Sequence, residues 1–103
     1  MLGKKTAVED VERRPVRTGI VLFEPPGRQS PPAYVDCVVP GSPAAAIGLR
    51  PDDLIVRIDG YSVRSCREFR EVLARFKPGQ IVTLTYKRGT SIERAEMALE
   101  EEK

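Results

Sequence analysis

The sequence predicts an α+β domain in which five short strands and two helices form a partly open barrel or sandwich, the longer helix covering one opening. Three observations carry this. Apolar residues recur at period two in short runs that glycine and proline bound. One stretch switches to helical period, with Phe69, Val72, Leu73 and Phe76 at i, i+3, i+4 and i+7. The chain has 103 residues, 41% of them hydrophobic, which suits one core and leaves little for a second.

The polar, aperiodic residues 1 to 14 read as a tail or linker, residues 15 to 100 as the domain, and residues 101 to 103 as an acidic tail. Lys4, Lys5, Glu9 and Asp10 break up the start, so it holds no signal-peptide apolar region. No apolar run approaches the roughly 20 residues that span a bilayer.

The first strand is Gly19-Ile20-Val21-Leu22-Phe23, opened by a glycine and closed by the proline-rich loop from Glu24 to Pro32. The next is Tyr34 to Val39, where Val35, Cys37 and Val39 share a face at period two. Ser42-Pro43 then opens a short helix: serine accepts from the first free amides and proline suits the first helical position. Gly48 closes that helix as a left-handed cap. Leu54, Val56 and Ile58 alternate with Ile55 and Arg57 in a strand that ends at the tight turn Asp59-Gly60.

Ser65-Cys66-Arg67-Glu68 is a capping box for the longer helix, which carries the Phe69 stripe inward and the pairs Arg67–Glu71 and Glu71–Arg75 outward. Pro78-Gly79 ends it. Val82, Leu84 and Tyr86 alternate with threonines in a further strand. After the Arg88-Gly89-Thr90 turn, Ala95, Met97 and Leu99 mark the last one.

Composition excludes several functions. Net charge is +2, from 17 basic and 15 acidic residues with the signs interspersed, which is no nucleic-acid footprint. The absence of histidine removes the usual general base, the Ser-His-Asp arrangement and imidazole metal ligands. Nothing calls for a cofactor, a metal or a catalytic residue; Ser42 is a helix cap. Cys37 and Cys66 make neither a disulfide framework nor a zinc site. They are expected as buried free thiols, with a single bridge between them left open.

The run Gly41-Ser42-Pro43-Ala44-Ala45-Ala46-Ile47-Gly48-Leu49-Arg50-Pro51-Asp52-Asp53-Leu54-Ile55 resembles PDZ domains, most closely those that follow the catalytic domain of bacterial HtrA-type serine proteases. The likeness continues through Val56-Arg57-Ile58-Asp59-Gly60, the capped helix, Lys77-Pro78-Gly79 and the Tyr86-Lys87-Arg88-Gly89 turn, and covers roughly Arg17 to Leu99. It implies the PDZ fold in the permuted bacterial strand order, with the binding strand first and a closing strand last. It implies a module, not an enzyme, that takes an extended peptide as an added strand. The peptide's C-terminal carboxylate would sit on amides of the loop Arg17-Thr18-Gly19-Ile20, where glycine lets the amides converge. Ile20 and Leu22 would face the pocket, Val21 would point away, and Phe69, Val72 and Leu73 would wall it from the helix.

Three positions depart from the pattern. Arg17 and Thr18 stand where the family carries apolar residues, leaving Arg17 either to assist the carboxylate by charge or to face solvent. Asp52 stands where glycine is usual, and aspartate tolerates φ > 0 better than most residues. The implied partners are peptide or protein C termini, with oligomerisation possible through a parent protease domain, and a periplasmic or cell-envelope setting. Neither a nucleic acid nor a membrane is expected to be bound by this segment. Two other readings use the same features: a PDZ domain of a membrane-embedded metalloprotease or secretion scaffold, and a dimerisation module pairing through the strand edge at Gly19 to Phe23.

Overall fold

The computed structural model describes residues 16–27 and 29–101; the tail expected over residues 1 to 14 lies outside them, as do Glu102 and Lys103. The elements run β1 (Val16–Arg17), β2 (Ile20–Leu22), β3 (Val35–Val38), α1 (Pro43–Ala46), β4 (Leu54–Ile58), β5 (Tyr61–Ser62), α2 (Cys66–Leu73), β6 (Ile81–Arg88), β7 (Ser91–Ala98) and β8 (Glu100–Glu101). The five strands expected from the sequence correspond to β2, β3, β4, β6 and β7. The three two-residue pieces β1, β5 and β8 are additions that only pairing reveals.

The antiparallel sheet β5-β4-β6-β7 is the largest layer, and β2-β3 and β1-β8 are separate two-stranded pieces. No barrel closes. Backbone bonds nevertheless join the layers: Val35 N–H donates to Asp53 O at 2.8 Å, Asp52 N–H to Val35 O at 2.8 Å, and Ile55 N–H to Ala33 O at 2.9 Å. β1 and β8 pair through Val16 with Glu101 and Arg17 with Glu100, bringing the two ends of the described chain together.

The turns follow from residue chemistry. Asp59-Gly60 joins β4 to β5 as a two-residue loop, with Asp59 at φ 53°. Gly89-Thr90 does the same between β6 and β7, with Gly89 at φ 63°. Asp52 takes φ 74°, so aspartate does sustain the left-handed conformation there.

Two strands depart from simple alternation for one physical reason. Between β2 and β3 the register moves from Val21 opposite Cys37 to Leu22 opposite Val35, which makes Asp36 an extra residue. Val35 is therefore buried and Cys37 exposed, contrary to the expectation of a shared face and a buried thiol. In β4 the register moves from Ile55 opposite Tyr86 to Arg57 opposite Thr85, which makes Val56 extra. The bulge turns both Ile55 and Ile58 inward, where an unbroken strand would have grouped Leu54, Val56 and Ile58.

The core gathers Ile55, Ile58, Val82, Leu84, Tyr86 and Met97 from the large sheet, Leu99 from just beyond β7, Val35 from β3, and Phe69 and Val72 from α2. Beneath it, Asp53 is 1% exposed and held in place by charge. Its carboxylate accepts Arg88 Nε at 2.9 Å, Arg88 Nη2 at 2.7 Å and the Arg50 N–H at 2.8 Å. Burial works against the ionised form, but these bonds outweigh it and hold the carboxyl below its ordinary range. Arg88 also donates to Gly48 O at 3.1 Å, so one guanidinium ties α1's end to the turn before β4 and to the end of β6.

Candidate functional site

The resemblance directs attention to β2 and α2, and the chain positions each by local means. Ser65 caps α2, its Oγ accepting the Glu68 N–H at 3.1 Å. Glu68 does reach back, but to the Arg64 N–H at 2.8 Å, one residue before the cap. The pair Arg67–Glu71 forms at 3.1 Å, whereas Arg75 turns to lie 5.1 Å from the Tyr61 ring centroid.

At its start α2 is fastened to the end of β2. The Cys66 N–H donates to Pro31 O at 2.8 Å, and Cys66 Sγ lies 3.4 Å from Pro32 O and 3.8 Å from Phe23 O. Burial, with the charge of Glu24, pushes the Cys66 thiol above its ordinary range. One turn on, Arg70 meets Glu24 in a two-pronged pair at 2.8 and 3.1 Å. None of Glu24, Cys66 and Arg70 was picked out as a site residue from the sequence. Cys66 and Arg70 are neighbours along α2, but only tertiary proximity brings Glu24 to them, 46 positions before Arg70, and no local pattern encodes that.

At the other end of β2, Thr18 is 6% exposed and makes two bonds: its carbonyl accepts the Ala44 N–H at 2.9 Å, and its Oγ1 accepts the Ile20 N–H at 3.2 Å. Gly19 has φ +80°, and a β-carbon there would collide with the Ser42 side chain. Arg17 donates to the Glu100 carboxylate at 3.1 Å, so its side chain is engaged across the β1–β8 pair. A direct charge role for Arg17 is thereby weakened in this conformation.

Along β2, backbone groups alternate in direction. Gly19 O accepts from the Val39 N–H and the Phe23 N–H donates to Tyr34 O, both at 2.9 Å, so this parity faces β3. The alternate residues, Ile20 and Leu22, turn their backbone groups to the edge that carries no strand among the described residues. Ile20 and Leu22 are half-buried against the core and Val21 is exposed. On α2, Phe69 and Val72 are 3% and 7% exposed and belong to the core, while Leu73 is half-buried. The half-buried set Ile20, Leu22 and Leu73 is thus what a visitor along β2 could touch.

No group of three or more potential metal ligands occurs among the described residues, and every buried side-chain polar atom among them is hydrogen-bonded. No helix among them is long and apolar enough to cross a membrane.

The sequence profile of a family described as PDZ domain matches residues 8–99. The chain belongs to the PDZ domain family. This PDZ domain is similar in sequence to the magnetosome formation protease MamE of Magnetospirillum gryphiswaldense, 35% identical over 68 residues that make up 66% of the chain and 8% of the relative. In structure it is similar to the HtrA-type protease AlgW, solved with a decapeptide, at a TM-score of 0.79 and 21% identity, covering 99% of this chain and 35% of that one. It is also similar to the HtrA3 PDZ domain bound to a phage-derived ligand, FGRWV, at a TM-score of 0.65 and 25% identity, covering 82% of this chain and 85% of that one. This PDZ domain therefore spans a small part of the proteases it matches, and as a PDZ domain it is a binding module.

Proposed function

We propose that this PDZ domain captures C-terminal or extended apolar peptide segments as a strand added to the open edge of β2. The observation that carries the reading is the parity of β2: Ile20 and Leu22 direct their backbone groups away from β3, beside half-buried apolar side chains. Main-chain bonds would supply affinity and the side-chain pocket selectivity. The glycine turn at Gly19 would receive the terminal carboxylate on its amides, and Arg17, Thr18, Gly19, Ile20, Val21, Leu22, Phe69, Val72 and Leu73 form or support the site. Val21 faces away and Phe69 and Val72 act through the core beneath. AlgW was solved with a decapeptide and the HtrA3 domain bound to the ligand FGRWV, which supports the reading.

In its parent protein, the domain would tether substrates for, or gate, an HtrA-like serine protease, as its likeness to MamE and AlgW suggests. One groove makes few contacts, so affinity is expected to be on the order of micromolar, about −8 kcal/mol. Titration with peptides ending in an apolar residue, each paired with its C-terminal amide, tests this. Tighter binding of the free acid is expected; absence of binding by any of them at millimolar concentration would overturn the proposal.

A further inference from the structure

Where β2 ends, the space beside it is charged. The Glu24–Arg70 pair stands across the passage between the strand's end and α2, and the same two side chains line a hollow of about 480 Å³ together with Gln29, Ser30 and Arg67. Two guanidinium groups and one carboxylate line it, and Glu71 balances Arg67 from outside the lining, so its pull on an anion comes from unengaged donors and not from net charge. Arg70 spends both terminal nitrogens on Glu24. Arg67 gives its Nε to Glu71 at 3.1 Å, and its side chain is 75% exposed. No described residue accepts from its terminal nitrogens, the Gln29 amide or the Ser30 hydroxyl.

The register of an added strand decides which part of a peptide arrives here. With its carboxylate at Gly19 the peptide runs antiparallel to β2. Stepping along at about 3.4 Å per residue, its last residue lies beside Ile20 and about the fifth from the end beside Glu24. We propose that this hollow is a specificity subsite for acidic side chains at about the fifth and sixth positions from the peptide's C terminus, an assignment that rests on the strand-addition reading above. The preference is for charge of one sign, not for a shape, because the hollow is open and its lining polar.

The test is fluorescence anisotropy with three ten-residue peptides that share their last four residues, end in an apolar residue with a free carboxylate, and carry Glu-Glu, Ala-Ala or Lys-Lys at the fifth and sixth positions from the end. The Glu peptide is expected to bind about threefold more tightly than the Ala peptide at low salt, in line with an exposed ion pair, and the Lys peptide more weakly than both. The differences should collapse at about 0.5 M salt. Arg67→Glu, an exposed substitution whose fold can be checked by circular dichroism, should reverse the order of the Glu and Lys peptides. Equal affinity for all three would overturn the subsite and leave strand addition standing, as would an unchanged order in a folded Arg67→Glu variant. Failure of all three to bind would overturn strand addition and the subsite with it.

Discussion

At position 19 the backbone takes φ +80° and runs close against Ser42, so a β-carbon would meet both a conformational penalty and a collision. Gly19→Ala is expected to cost about 1–3 kcal/mol and to disturb the Thr18 bonds that shape the loop. Denaturant unfolding of the variant, followed by a peptide titration, checks both effects. Asp53 makes a second residue-scale case. Replacing it with Asn leaves Arg88 without its ionic partner and should cost about 2 kcal/mol at neutral pH, measured by thermal melting. The folded-state carboxyl lies below its ordinary range, so between the two values the unfolded chain binds more protons. Its contribution is therefore complete above the ordinary aspartate range and is lost as pH falls through the lowered folded value. The melting temperature of the parent chain should drop on acidification below about pH 4, and Asp53→Asn should show a smaller drop.

Helix α2 illustrates what an element inherits from its sequence and what it does not. Its cap at Ser65 and its apolar stripe are local signals, and they predicted the helix; it stops at Leu73, short of the Pro78-Gly79 end that the sequence suggested and before Phe76. Its docking is not local: Cys66 lies under the chain at Phe23 and Pro32, and Arg70 meets Glu24, through contacts between distant residues. β6 and β7 were legible because an unbroken hairpin preserves period two, so Val82, Leu84 and Met97 are buried as expected. β3 and β4 were not fully legible, because a bulge is fixed by the partner strand's register and shifts every later side chain to the opposite face. The site inherits this limit. The β2 loop could be named from its glycine, but the division of the Phe69 stripe between core and surface depends on how the helix is docked. The two cysteines test that docking directly. Cys37 is exposed, while Cys66 is wholly buried with its thiol pushed up by burial. A thiol reagent under native conditions should modify Cys37 promptly and Cys66 only on unfolding, as peptide mass spectrometry will show.

For the whole molecule, binding and stability are one equilibrium. The sites that would hold a peptide lie on β2 and α2, and among the described residues β2 pairs with β3 alone, so its second edge makes no strand pairing there until something adds to it. A ligand that binds only the folded domain stabilises it by about 2.7 kcal/mol at 100 times its dissociation constant. A domain of this size shifts by about 4–8 °C per kcal/mol, so the melting temperature should rise on the order of 10 °C with a saturating C-terminal peptide. The C-terminal amide should give a smaller rise, since it lacks the charge that the Gly19 loop would receive. Leu73→Glu, which changes a half-buried surface position and not the Phe69 core beneath it, should abolish the rise while leaving a cooperative melt. Self-association through the same edge makes a different forecast: the melting temperature would climb with protein concentration alone, and added peptide would compete with it. Melting curves across a range of domain concentrations, with and without peptide, therefore decide whether the open edge of β2 is kept for a ligand or for a second copy of the chain.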